Sequence, residues 1–189
     1  MKILASLLTL LFFVSVLNAE TRTWNLGEKG GFQLSHPADA QFEQVSPSTE
    51  RDVQAFTIRF PDRNGISTIS YQVLVAPAEA STDWTDFEKI DAFLNESGQR
   101  SLKSSVEKNV VPVHLKMKHG FASYAVFTDP DLVGKEIDRP KNFRHMIMGA
   151  GSVKGYTLFV RGYTNSTDSD YFHQMNQILE SLEVTGSHP

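Results

Sequence analysis

The 189-residue sequence predicts an α+β protein: a mostly antiparallel β-sheet flanked by two main helices, arranged as an α/β/α sandwich. Three observations carry that prediction. Strand-length segments recur with alternating apolar residues, or with apolar residues on both sides as in Phe121 to Phe127. Two stretches change to helical spacing, one around Phe87 and one from Asp170 to Glu183. Glycine, proline and asparagine then punctuate the chain at distances that suit hairpins.

The first segment reads as a leader. Lys2 supplies a positive start, Ile3 to Leu17 is apolar, and Leu17-Asn18-Ala19 before Glu20 makes a small-residue cleavage site. The apolar run falls short of the roughly 20 residues a spanning helix needs, so residues 1–19 are expected to be a secretory signal peptide rather than an anchor. Removing residues 1–19 from 189 leaves 170 residues, and the loss of Lys2 takes the formal net charge from −4 to −5. Residues 20–189 are expected to fold as one domain.

Glu20 to Gly31 reads as a frayed or edge segment anchored by Trp24 and Leu26. Phe32 and Leu34 open a short strand that His36-Pro37 stops, because proline has no N–H for a ladder. Phe56, Ile58 and Phe60 alternate with Ala55, Thr57 and Arg59; Asn64-Gly65 then turns the chain, and Ile69, Tyr71, Val73 and Val75 line one face of the return strand. A helix follows Ser81-Thr82-Asp83, with Thr85-x-x-Glu88 as a capping box and Trp84, Phe87, Ile90, Phe93 and Leu94 as its apolar stripe; Gly98 is expected to end it near Glu96. Val110 to Lys118 and Phe121 to Phe127 form a further pair turning at His119-Gly120. After a charged loop from Asp129 to Pro140, Phe143 to Met148 and Tyr156 to Tyr163 are expected to pair across an open loop containing Gly149, Gly151 and Gly155. The helix from Asp170 to Glu183 carries Tyr171, Phe172, Met175, Ile178, Leu179 and Leu182 on its buried face.

Composition narrows the chemistry. The chain has no cysteine, so it has neither a disulfide framework, nor a thiol nucleophile, nor a lipid-bearing cysteine after the leader. The mildly acidic balance contains no basic block, which argues against nucleic acid or an anionic membrane as a main partner. Gly149-Ala150-Gly151-Ser152-Val153-Lys154-Gly155 matches neither a nucleophile elbow nor a phosphate-binding loop, and its place between two strands explains its glycines.

The opening Gly31-Phe32-Gln33-Leu34-Ser35-His36-Pro37, the Phe56 to Val75 hairpin, the helix near Phe87 and the closing Ile178-Leu179-Glu180-Ser181-Leu182-Glu183-Val184 together resemble the PsbP/Mog1-like superfamily of exported bacterial proteins and their relatives. Those motifs are packing signatures. The resemblance implies an α/β/α sandwich around an antiparallel sheet, and members that bind proteins or assist complexes rather than catalyse. It carries over no binding residues.

Two groups of side chains carry candidate chemistry or contacts. His114, Met117 and His119 offer imidazole and thioether ligands of a kind suited to copper, yet strand alternation turns His114 away from Met117 and His119. His145 likewise opposes Met146 and Met148, which read as core fillers. Asp129, Asp131, Lys135, Glu136, Asp138 and Arg139, with Arg144 at the start of the next strand, form a charged loop face that lacks the order of a calcium loop and reads as a contact surface. Arg144 and Arg161 can pair with loop carboxylates or grip an anionic partner. No catalytic residue and no cofactor is expected. The expected function is an exported, non-catalytic accessory protein whose partner is another exported or envelope protein, with no nucleic acid and no transmembrane anchor after processing. The alternative is a carrier of a metal or small molecule between sheet and helix, where Phe87, Phe93, Tyr124, Phe159 and Tyr171 can line an apolar space; a third reading is a hydrolase without a sequence motif, which a convergent Ser, His and Asp arrangement would support.

Overall fold

The computed structural model describes residues 19–25, 30–45, 53–60, 69–79, 82, 84–137 and 142–186. The leader through residue 18, Leu26, Ser81, Asp83, the Asn64-Gly65 turn, and Asp138 and Arg139 of the charged loop lie outside the described residues. Among the described residues ten strands and two main helices follow one another as β1 (Ala19–Asn25), β2 (Gly31–Pro37), β3 (Gln41–Val45), β4 (Gln54–Phe60), β5 (Ile69–Pro77), α1 (Phe87–Leu102), β6 (Val113–Leu115), β7 (Gly120–Thr128), β8 (His145–Val153), β9 (Tyr156–Thr164), α2 (Asp170–Glu180) and β10 (Glu183–Thr185). Seven strands form one sheet in the order β3-β4-β5-β9-β8-β7-β6, and a three-stranded sheet runs β1-β2-β10. Every pairing is antiparallel.

The α+β class follows from how the two faces of the large sheet are used. One face presents Phe56, Ile58, Tyr71, Val73, Leu158 and Ile147 to α2 and the small sheet, joining Phe32, Leu34, Met175, Ile178 and Leu179 in the main core. The other face presents Ala125, Phe127 and Ala150 to Ile90 and Leu94 of α1, with Trp84 and Val110 closing a second core. Helix α1 packs on β7 and β8. No helix among the described residues packs on β3, β4 or β5 on that side.

Local chemistry accounts for the helix ends. Asp86, not Thr85, caps α1, accepting a hydrogen bond from the Lys89 N–H at 3.0 Å; Thr85 donates to Asp86 instead. Ser169 caps α2 in the same way through the Phe172 N–H at 3.2 Å. At the other end, the Ser181 hydroxyl donates to the Ile178 carbonyl at 2.7 Å and accepts from the Ser35 N–H at 2.9 Å, tying the last turn to β2. The helix therefore stops at Glu180. Leu182 is buried outside it, and Glu183 to Thr185 add a strand to β2, where sequence periodicity had run the helix on to Glu183.

Two glycine expectations are corrected. Helix α1 continues past Gly98 to Leu102, because that glycine lets the helix approach closely: a Cβ there would lie 2.7 Å from Val110 Cγ2 and 3.0 Å from Phe127 Cζ. Gly149 and Gly151 lie within β8 rather than in an open loop, and a Cβ on Gly151 would meet that of Ala122 at 2.7 Å. The turn is instead the two residues Lys154 and Gly155, at φ 46° and 78°, between the paired Val153 and Tyr156. Positive φ at both positions matches the twist of an antiparallel hairpin. Strand β3 and its pairing with β4 are additions to the expected elements.

Candidate functional site

The charged loop begins with a turn of its own. Asp129 accepts from the Asp131 N–H at 2.8 Å and caps a single 3-10 turn, Pro130–Leu132, leaving Asp131, Lys135 and Glu136 exposed and Val133 53% exposed. Arg144 fixes its position from below. Its Nε donates to the Leu132 carbonyl at 3.1 Å, Nη2 to the Lys135 carbonyl at 2.7 Å, and Nη1 to the Asn165 carbonyl at 3.2 Å, while its backbone N–H donates to Asn165 Oδ1 at 2.8 Å. Arg144 is therefore a staple on loop carbonyls and forms no ion pair among the described residues. Between this loop and the C-terminal end of α1 lies an open depression of about 560 Å³, bordered by Asp129, Asp131, Arg144 and Arg100.

Replacing Arg144 with alanine removes three carbonyl contacts from one charged group. The expected result is a stability loss of about 1–3 kcal/mol, with faster amide exchange concentrated in residues 131–137. Unchanged exchange there would mean that the loop is held by something other than this guanidinium.

Beside the loop, Glu107 accepts from the Thr128 N–H at 2.8 Å and from the Thr128 hydroxyl at 2.6 Å, and that hydroxyl lies 3.0 Å from His145 Nδ1. Burial pushes the Glu107 carboxyl up, but the Thr128 hydrogen bonds outweigh it and hold the group below the usual glutamate range. His145 is pushed down, first by burial and then by the charge of Arg144, with Glu107 and Asp168 opposing. Both groups bind protons more readily in the unfolded chain. The stability each provides is present above its unfolded pKa and is lost as pH falls through its folded value. His145 thus acts at and below about pH 6.5, and Glu107 below about pH 4.3. Urea midpoints should fall in two steps on acidification, with Glu107→Gln flattening the lower one; a proton NMR titration should place His145 below the usual histidine value. A midpoint for His145 above that value would contradict the assignment.

The other sequence candidates separate in space. His114 Nε2 sits 2.9 Å from Asp91 Oδ2, and its ring stacks on Phe87 at 3.9 Å, on the α1 side of the sheet. Met117 packs against the main core on the α2 side. His119 lies in the exposed turn next to Lys118, which is hydrogen-bonded to Glu183 and holds that carboxyl below its usual range, with His119 adding to the field. His114 and Met117 therefore face away from each other, and no group of three or more His, Asp or Glu ligands occurs among the described residues.

The fold does place Ser123 directly opposite His114 in the β6–β7 register, completing a Ser, His and Asp set with Asp91 that sequence reasoning missed. The only legible signal was the helix–strand pairing implied by the order α1, β6, β7. The set is not arranged for nucleophilic catalysis. The Ser123 hydroxyl is buried beneath α1 and makes no hydrogen bond to His114 among the described residues, so there is neither a proton path nor room for a substrate carbonyl. Thr128 fails the same test differently: its hydroxyl proton is committed to Glu107 and the histidine does not bridge hydroxyl and carboxylate.

No helix among the described residues is long and apolar enough to cross a membrane. No protein-family model and no curated protein matches the chain. The chain is similar to the cyanobacterial PsbP (CyanoP) of Synechocystis sp. PCC 6803, at 13% identity over 88% of this chain and 93% of that one, with a TM-score of 0.49. It is also similar to LpqN of Mycobacterium tuberculosis, a protein involved in cell envelope biogenesis, at 12% identity over 89% of this chain and 92% of that one, with a TM-score of 0.40.

Proposed function

We propose that the protein is an exported, non-catalytic accessory protein that acts through protein–protein contacts at the face formed by residues 129–137, Arg144 and the end of α1. The observation that carries this reading is the stapling by Arg144 of the charged, exposed segment 129–137 through the Leu132 and Lys135 carbonyls. A pre-ordered loop loses little entropy on binding, and loops held by a rigid scaffold are where recognition concentrates. Asp131, Lys135 and Glu136 supply a mixed-charge rim around exposed Val133. Export is supported by Lys2, the apolar run from Ile3 to Leu17 and the small residues before Glu20. The buried state of Ser123 and the committed proton of Thr128 support a role without chemistry.

The test is site-specific photo-crosslinking in the native envelope. A crosslinkable residue at position 133 should give one reproducible adduct, lost in the Arg144→Ala background; the same residue at exposed Glu88, on α1 near its N-terminus, should give none. Equal labelling from both positions, or no adduct from either, would count against this surface. N-terminal sequencing of the exported chain should begin at Glu20.

A further inference from the structure

The part of the large sheet beside α1 contains a second feature, which adjoins the loop depression and shares Arg100 with it. Four side chains line up across four strands in one register row on that face: Val45 opposite Ala55, Ala55 opposite Leu74, and Leu74 opposite Phe159. Val45 is 49% exposed and Ala55, Leu74 and Phe159 are half-buried; no helix among the described residues packs over Ala55 or Leu74, and Phe159 closes the inner end of the row against Phe93 at 5.7 Å and Trp84 at 5.8 Å. At strand spacings of about 4.8 Å this row extends roughly 14 Å. Phe93 of α1 forms its wall, giving a groove of about 410 Å³.

The adjacent row carries the charge. Gln72 is opposite Arg161, and Arg161 is opposite Met148. Phe93, Met148 and Arg161 border both this groove and a second open depression of about 660 Å³, which Arg100 and Lys103 of α1 also line. Arg100, Lys103 and Arg161 form no ion pair among the described residues, and all three are exposed. Among the described residues Glu96 is the one carboxylate that lines the depression. The site is thus apolar at one end and cationic at the other, with Arg161 at the junction.

From this arrangement we infer that the groove binds a single-chain amphiphile with an anionic head, its chain along Val45, Ala55, Leu74 and Phe159 and its head at Arg161, Arg100 and Lys103. Apolar burial supplies the sequence-independent attraction, and the unpaired cations fix which way the molecule lies. A flat protein partner would need a broader apolar surface than this row between polar neighbours offers.

Isothermal titration below the micellar range tests it with dodecanoate, dodecyl phosphate, 1-dodecanol and inorganic phosphate. Dodecanoate or dodecyl phosphate should bind saturably, with the stronger of the two identifying the head chemistry. 1-Dodecanol should bind about tenfold more weakly, and inorganic phosphate alone should not saturate the site. Arg161→Glu should weaken the charged ligands about tenfold and leave 1-dodecanol unchanged, whereas Leu74→Asp should weaken all three long-chain ligands. Both positions are at the surface, and circular dichroism of each variant checks its fold. Charged ligands binding no better than 1-dodecanol, or binding that is indifferent to both substitutions, would overturn the inference. So would a concentration-dependent dimer abolished by Leu74→Asp without ligand binding, since the face would then belong to a second copy. No adduct from position 133 in the otherwise unchanged protein, with ligand binding intact, would sink the accessory-surface reading alone.

Discussion

Replacing Trp24 with alanine is expected to destabilise the protein by about 3–5 kcal/mol, the range for deleting a large buried aromatic side chain. Trp24 is 6% exposed and stacks at 4.8 Å on Phe32 and at 4.6 Å on Phe56, so one indole joins β1, β2 and β4. It is the point at which the three-stranded sheet is fastened to the seven-stranded one. Arg22 lies 5.4 Å over the same ring and shields its outer side. For a domain of this size the loss corresponds to a melting-temperature drop of roughly 10 °C. Amide exchange should accelerate first in β1, β2 and β10. Trp24→Phe should keep most of the stability, because a ring of smaller area still fits between the other two. A loss below about 1 kcal/mol on Trp24→Ala, within the range of ordinary surface substitutions, would show that the small sheet is not part of the core.

Gly162→Val is expected to cost about 3 kcal/mol by overpacking. A Cβ at position 162 would sit 2.4 Å from Tyr71 Cε1, 2.6 Å from its Cδ1 and 3.1 Å from Ile147 Cβ. Tyr71 cannot swing away. It is fully buried in β5 next to β9, and its hydroxyl donates to Asn176 Oδ1 at 3.5 Å. Close approach, not backbone conformation, is what requires glycine at 162. A double-mutant cycle with Tyr71→Leu separates this cause from a general loss of strand propensity: vacating the ring should make Gly162→Val markedly less harmful. Strictly additive effects in urea unfolding would rule out the clash as the reason.

The alternating strands were readable because one face of each is buried. Phe56, Ile58 and Phe60, and Ile69, Tyr71, Val73 and Val75, lie in the core as their spacing requires. The glycines misled for a physical reason. Gly98 and Gly151 are there because another chain segment comes too close for a side chain, and that need is set by tertiary neighbours that no local pattern contains. Strand β10 was hidden because Leu182 continues the helical spacing of α2, whereas Ser181 and its contacts with Ser35, 146 residues away, end the helix first. Strand β3, with Phe42 its only half-buried residue among exposed neighbours, has almost no apolar signal.

Candidate sites were less legible than elements. Arg144 and Arg161 are alike in the sequence as basic residues at strands, but the first is spent on three carbonyls and the second stands exposed beside a groove. Carbonyl partners carry no side-chain signature. The row Val45, Ala55, Leu74 and Phe159 exists only once three registers are fixed. Asp91 and His114, 23 residues apart, meet because α1 crosses the sheet at β7 and the edge strand returns beneath it.

The small sheet has a consequence for the order of folding. Strand β2 receives β1 from its own N-terminal side but β10 from the far end of the chain, and Gln33 meets Glu183 across 150 residues of sequence. Pairings of such long range are slow to form, because the intervening chain must be organised before they yield any contact. A nascent chain still lacking Val184 leaves the Phe32 edge of β2 unpaired. Closure of the small sheet therefore waits for Glu183 to Thr185, and until they are in place that edge of β2 lacks its partner.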